Sequence, residues 1–172
     1  YTGGFAFTDF VATGGYDLTS NGGKDIGITK TNSNGSKIWS TFMGTSGEDN
    51  LENLSCSNNG LYVAALGTSD QSSSSFATTG VARSSGKEYC VLLRPNGTRS
   101  WGSYTIDRGQ DYPSSIEVTG SGNIIVMNSN FQLEKFNLQG SKSTQLNISN
   151  NNIEIYDLCT DNKGYLYAAG AI

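Results

Sequence analysis

Four unlike residue markers recur at a single spacing, and this register constrains the chain more than any other feature. Asn34-Gly35 returns as Asn96-Gly97, Trp39 as Trp101, Asp49 as Asp111 and Gly60 as Gly122, each pair 62 residues apart. A fixed period of this length marks a repeat architecture, in which each unit buries its apolar face against the next. Repeat 1 spans 22–70 and repeat 2 spans 85–130. A degenerate repeat 3 spans 131–172, where Gly140 matches Gly97 and Gly164 matches Gly122 at a shorter offset of 42 to 43 residues. Its Trp slot falls near Thr144 and its Asp slot near Ile153. A Ser/Thr-rich linker, 71–84, separates the first two repeats, and residues 1–21 form a strand and linker that completes a neighbouring unit.

Within each copy, short β-prone runs alternate with turn residues. Strands are expected at Ile26–Thr31, Lys37–Met43, Leu51–Ser57, Leu61–Leu66, Tyr89–Leu93, Arg99–Tyr104, Ser115–Val118, Ile124–Asn128 and Tyr165–Ala169. Asn-Gly between two such runs is a strong hairpin signal, because both residues tolerate positive φ. Alternation at Ile26, Ile28 and Lys30, and at Tyr165, Tyr167 and Ala169, has the period of a strand. Only Gln132 to Gln139 could be misread as a helical turn. Trp39, Trp101, Ile28, Leu54, Val63, Ile125 and Tyr167 are the expected inward positions.

Composition agrees with a turn-rich β fold and excludes several chemistries. Gly, Ser, Thr and Asn make up 78 of the 172 residues, only 15% are charged, and 18 aromatic side chains supply core material. The chain has no histidine, which removes Ser-His and Cys-His nucleophile pairs and histidine-ligated metals. A net charge of −4 offers no basic stripe for nucleic acid. No apolar run approaches the roughly 18 residues of a membrane-spanning helix. Cys56, Cys90 and Cys159 are an odd set without CxxC spacing. They can form one intrachain disulfide at most, or serve as three small buried hydrophobes.

Four short strands joined by tight turns, repeated, describe a propeller blade. The markers stand as Gly22-Gly23-Lys24-Asp25, Gly35-Ser36, Trp39, Gly44-Thr45-Ser46-Gly47-Glu48-Asp49 and Gly60-Leu61-Tyr62-Val63-Ala64-Ala65. This pattern resembles the SBBP-type β-propeller repeat. The resemblance is good in repeat 1, moderate in repeat 2 and poor in repeat 3. It implies an all-β, propeller-like array of about three four-stranded blades in a secreted or surface protein. It also implies a structural role with no family-wide catalytic residue and no cofactor.

Three blades are too few to close a ring, and the two ends read as parts of one blade. Tyr1 to Phe10, followed by Phe10-Val11-Ala12-Thr13-Gly14-Gly15, resembles what should follow Ile172, by analogy with Phe76 to Gly80 after repeat 1. An assembly interface is therefore expected at Phe5, Phe7, Phe10, Tyr167 and Ile172. The partner is another copy of the chain, as a closed dimer or head-to-tail fibre, or the flanking repeats of a longer polypeptide.

Four sequons, at Asn34, Asn53, Asn96 and Asn147, are candidate glycan sites, with Asn34 and Asn96 at hairpin tips. Ser72 to Ser75 reads as a flexible linker first and an O-glycan site second. Asp49 and Asp111 could act as paired carboxylates or bind calcium, but capping turn amides is the stronger reading. Glu48, Asp49 and Asp107 lack EF-hand spacing. Trp39 and Trp101 could stack on sugars, although packing between blades is favoured for residues at equivalent repeat positions. The leading expectation is a non-catalytic extracellular scaffold, a unit of a surface layer, fibre or adhesive assembly. The alternative is a carbohydrate-binding propeller with glycans as partners, using aromatics such as Tyr16, Tyr104 and Tyr112.

Overall fold

The computed structural model describes residues 1–6, 10–78, 80–105, 115–127, 132–147, 154–161 and 163–171. Among them every regular element is a β-strand, in the order β1 Thr2–Ala6, β2 Asp25–Thr31, β3 Lys37–Met43, β4 Asp49–Cys56, β5 Val63–Ser73, β6 Gly86–Leu93 and β7 Arg99–Tyr104. There follow β8 Ser115–Val118, β9 Ile124–Met127, β10 Gln132–Phe136, β11 Lys142–Asn147, β12 Glu154–Thr160 and β13 Leu166–Ala171. The expected bounds of the strands at Lys37, Arg99 and Ser115 are reproduced, the strand expected at Leu61–Leu66 runs Val63–Ser73, and the others shift by one to three residues. The run from Gln132 is a strand and a turn.

The strands form four antiparallel sheets, β1-β2-β3, β4-β5-β6-β7, β8-β9-β10-β11 and β12-β13. The first three sheets each straddle a repeat boundary, and β12-β13 lies within repeat 3. The four-stranded β4–β7 sheet takes β4 and β5 from repeat 1 and β6 and β7 from repeat 2, because β5 pairs with β6 across the long 74–85 connection. The unit of sequence and the unit of hydrogen bonding are thus offset by half a repeat.

Three apolar layers join the sheets in series. Ile26, Ile28 and Trp39 of the first sheet meet Val63, Val91 and Tyr89 of the second. The opposite face of the second sheet presents Leu66, Leu92 and Trp101 to Ile116, Ile124 and Phe136 of the third. Ile125 and Leu133 then meet Ile155 and Leu158 of the last sheet. Alternate residues of β5 and β6 serve opposite layers, the period-2 consequence of a strand buried on both faces.

Of the expected inward residues, Trp39, Trp101, Ile28, Val63 and Ile125 are buried and Leu54 is half-buried. Tyr167 departs from expectation at 54% exposure, because no further sheet covers the outer face of β13. The Ser-rich stretch is no loose tether. β5 extends to Ser73, and Phe76 enters the core stacked on Tyr89 with ring centroids 4.0 Å apart.

The tight turns share one geometry. Gly35 N–H donates to Asn32 and Gly97 N–H to Arg94, and each glycine has positive φ. Glycine therefore stands fourth in a β-turn, as in a type I turn with a glycine bulge, and Asn34 is third. Only the glycine needs the left-handed region. The hairpin falls where Asn-Gly predicts it, in a different turn class.

Candidate functional site

Within each sheet the turns after alternate strands share an end, and Gly122 of the β8–β9 turn lies against Tyr62 and Leu138, so the turns after β4, β6, β8 and β10 gather at one end of the second and third sheets. This end carries the repeated tryptophans. Trp39 lies beneath the β6–β7 turn, whose Gly97 would bring a Cβ to 3.0 Å from the indole. Trp101 lies in the same way beneath Gly140 of the β10–β11 turn. The two tryptophans are inter-sheet packing residues, and a side chain on either glycine would collide with the ring.

They differ in one respect. Trp39 Nε1 donates to the Pro95 carbonyl at 2.9 Å, and Lys30 Nζ donates to that same oxygen at 3.0 Å. Trp101 Nε1 is buried and donates to no group among the described residues. Beside Trp101 a groove of about 510 Å³ opens between the second and third sheets, bordered by Tyr62, Arg94, Ser100, Leu138 and Gln139.

Asp49 caps the turn before its strand, as expected of it. Its carboxylate accepts from Thr45 N–H at 2.8 Å, from Thr45 Oγ1 at 3.2 Å and from Tyr89 Oη at 2.8 Å. Burial pushes this carboxyl above its ordinary range, against the opposing effect of the Thr45 and Tyr89 hydrogen bonds. Asp107, Asp111 and Tyr112 lie outside the described residues.

Two other carboxylates tie sheets together, and neither was singled out from sequence. Glu134, fully buried on β10, receives Arg83 from the 74–85 connection and Lys142, each at 3.0 Å. Glu117 on β8 accepts from Ser55 Oγ at 2.6 Å and from Thr160 Oγ1 at 2.9 Å, linking β4, β8 and β12. Their signal in sequence is a charged residue inside an apolar alternating run, Ile116-Glu117-Val118 and Leu133-Glu134.

Among the described residues no cluster of His, Cys, Asp and Glu could hold a metal ion, and no helix is long and apolar enough to cross a membrane. Cys90 is a buried hydrophobe, whereas Cys56 and Cys159 are exposed, and all three thiols are unpaired. The buried-hydrophobe reading therefore holds for Cys90 alone. Tyr104 is fully buried and so cannot offer an exposed sugar-stacking face. Tyr16 is half-buried, with its ring 5.3 Å from the Arg99 guanidinium.

Asn34 and Asn96 stand exposed on turn tips, and Asn53 is half-buried on β4. Asn147 ends β11, and its side chain is outside the described set. Of the expected interface residues, Phe7 and Ile172 also lie outside it. Phe5, on β1, pairs with Ile26 of β2. Phe10 packs edge-on against Phe42 at 5.0 Å, as Phe76 does against Tyr104 at 6.5 Å. Residues 10–15 therefore serve their own sheet as 76–78 serve the next.

No protein-family model and no curated protein matches the chain. Among solved structures it is similar to a Bacteroides caccae protein of unknown function, with a TM-score of 0.51 and 11% identity. The match covers 84% of this chain and 48% of that one, so the chain spans about half the length of that relative. The likeness concerns the fold alone.

Proposed function

We propose that the chain is a non-catalytic structural module of a β-propeller-like array, acting as an extracellular scaffold that assembles by completing its outer sheets. The observation that carries this reading is that the first and last sheets each keep an open edge. Among the described residues β1 pairs with β2 alone and β13 with β12 alone, so each leaves one edge without a partner. β5 and β9 hold the corresponding place with partners on both sides. An open edge is a template for another strand. A second copy, or further repeats of a longer polypeptide, would supply the missing strands and cover Tyr167. Light scattering of the isolated 172-residue chain across a concentration series tests the reading. Growth of dimers or longer chains supports it, and a monomer at every concentration overturns assembly by copies.

Low charge, abundant hydroxyl and amide side chains and four sequons support a surface location. Peptide mass spectrometry after deglycosylation of secreted eukaryotic material tests it. Modification is expected first at Asn34 or Asn96, and unmodified asparagine at all four sites would remove the glycoprotein claim.

The groove beside Trp101 favours a second reading, a carbohydrate-binding module, in which a gap between consecutive sheets holds a sugar. A glycan array separates the two readings, since the scaffold reading requires no sugar ligand.

A further inference from the structure

Hydrogen bonds bridge the gap over the first tryptophan, and the indole at the second makes none. Over Trp39, the Pro95 carbonyl takes both the indole N–H and the Lys30 ammonium. The residues 62 further along from Lys30 and Trp39 are Leu92 and Trp101, so no ammonium reaches the second gap from that position. The turn above it presents Leu138 where the first presents Pro95, counting back from Gly140 and Gly97. Among the described residues the Trp101 N–H reaches no acceptor there.

The result is a groove of about 510 Å³. That falls inside the range of about 300–1,000 Å³ typical of small-ligand clefts. Its border has a definite chemistry. Tyr62 and Leu138 give it an apolar wall, and Ser100 and Gln139 give it neutral hydrogen-bonding groups. Arg94 is its one charged residue, and no carboxylate lines it. Arg83 is engaged with Glu134 and Arg99 lies over Tyr16, whereas Arg94 is exposed and, among the described residues, its side chain holds no ion pair or hydrogen bond. A free guanidinium is a fork for a carboxylate, and an aromatic wall with hydroxyl and amide neighbours suits a pyranose ring.

We infer that this groove is a binding site for an acidic sugar, a hexuronate unit of an acidic polysaccharide. Arg94 takes the carboxylate, Tyr62 lies against the ring, and Ser100 and Gln139 bond its hydroxyls. The inference rests on the carbohydrate-binding reading above and supplies its ligand class and location.

The test is titration of the intact chain with trigalacturonate and with the neutral galactose trimer, followed by tryptophan fluorescence and calorimetry. Trigalacturonate is expected to bind and to perturb the emission of wild type and of Trp39→Phe alike. Arg94→Gln, at an exposed turn position, should weaken that binding by about tenfold or more while leaving the unfolding midpoint unchanged. Gln139→Ala should weaken it less. Equal binding of the two trimers, or binding indifferent to Arg94→Gln, overturns the acidic-sugar site and leaves the carbohydrate reading standing. Failure of both trimers, together with silence across a glycan array, overturns both.

Discussion

The indole of Trp39 donates to the carbonyl of Pro95, a residue 56 positions away in the next sheet, at 2.9 Å. Its counterpart Trp101 makes no such bond. Trp39→Phe removes a satisfied hydrogen bond together with ring volume, whereas Trp101→Phe removes ring volume and an unsatisfied buried donor. An intramolecular hydrogen bond contributes about 0.5–1.5 kcal/mol net, and an orphaned buried donor costs about 1–3 kcal/mol. Trp39→Phe should therefore be the more destabilising substitution by at least about 1 kcal/mol. Urea unfolding of both variants measures this, and equal midpoints would contradict the asymmetry.

The turn glycines separate backbone strain from steric fit. Gly35 and Gly97 both have positive φ, at 81° and 85°. A Cβ on Gly35 would meet open space, whereas one on Gly97 would lie 2.9 Å from the Gly14 carbonyl and 3.0 Å from Trp39. Gly35→Ala should cost about 1–2 kcal/mol, the left-handed penalty alone. Gly97→Ala should cost clearly more, because a backbone oxygen cannot move aside as a flexible side chain can. Thermal unfolding of the pair decides between them.

Asp49 gives a pH dependence of determined sign. Burial raises its folded-state carboxyl above the ordinary value, so the fold favours the protonated form. Its contribution is fully present below the unfolded pKa and is lost as pH rises through the raised folded value. Asp49→Asn removes that titration, and its lost acceptor capacity is a pH-independent offset. The wild type should therefore lose Tm relative to the variant as pH rises above the ordinary carboxylate value of about 4. A difference that stays constant, or moves the other way, rejects the burial argument.

Phe76 shows where legibility in the sequence ends. The strand positions, the hairpin sites, the tryptophan packing and the Asp49 cap follow from local pattern, because each depends on residues close in the chain or on the repeat. The half-repeat offset of the sheets does not, since β5 meets β6 only through the long connection after Ser73. Polar neighbours disguise Phe76 in the run Ser72–Ser75, yet it is 2% exposed. The groove was equally hidden, because it arises from what the Trp101 environment lacks. Truncating a large core aromatic costs about 3–5 kcal/mol, so Phe76→Ala should have that effect, where a flexible linker would tolerate it. Chemical denaturation measures the difference.

Glu117 gives the most specific test of how the sheets are held in series. It sits on β8, flanked by the buried Ile116 and Val118, with its carboxylate reaching Ser55 on β4 and Thr160 on β12. One side chain therefore couples three sheets through their first strands. Glu117→Ala leaves the Ser55 hydroxyl and the Thr160 N–H and hydroxyl without this acceptor. Hydrogen bonds to a charged group contribute about 1.5–3 kcal/mol, and partial exposure of Glu117 lowers the expected loss to about 1–3 kcal/mol. A double-mutant cycle isolates the pair. Ser55→Ala combined with Glu117→Ala should show an interaction energy of about 0.5 kcal/mol or more, the value for residues in direct contact. The turn glycine Gly35 shares no partner with Glu117, so Gly35→Ala combined with Glu117→Ala should be additive. Additivity in the Ser55 cycle would mean that the carboxylate does not join these strands in solution.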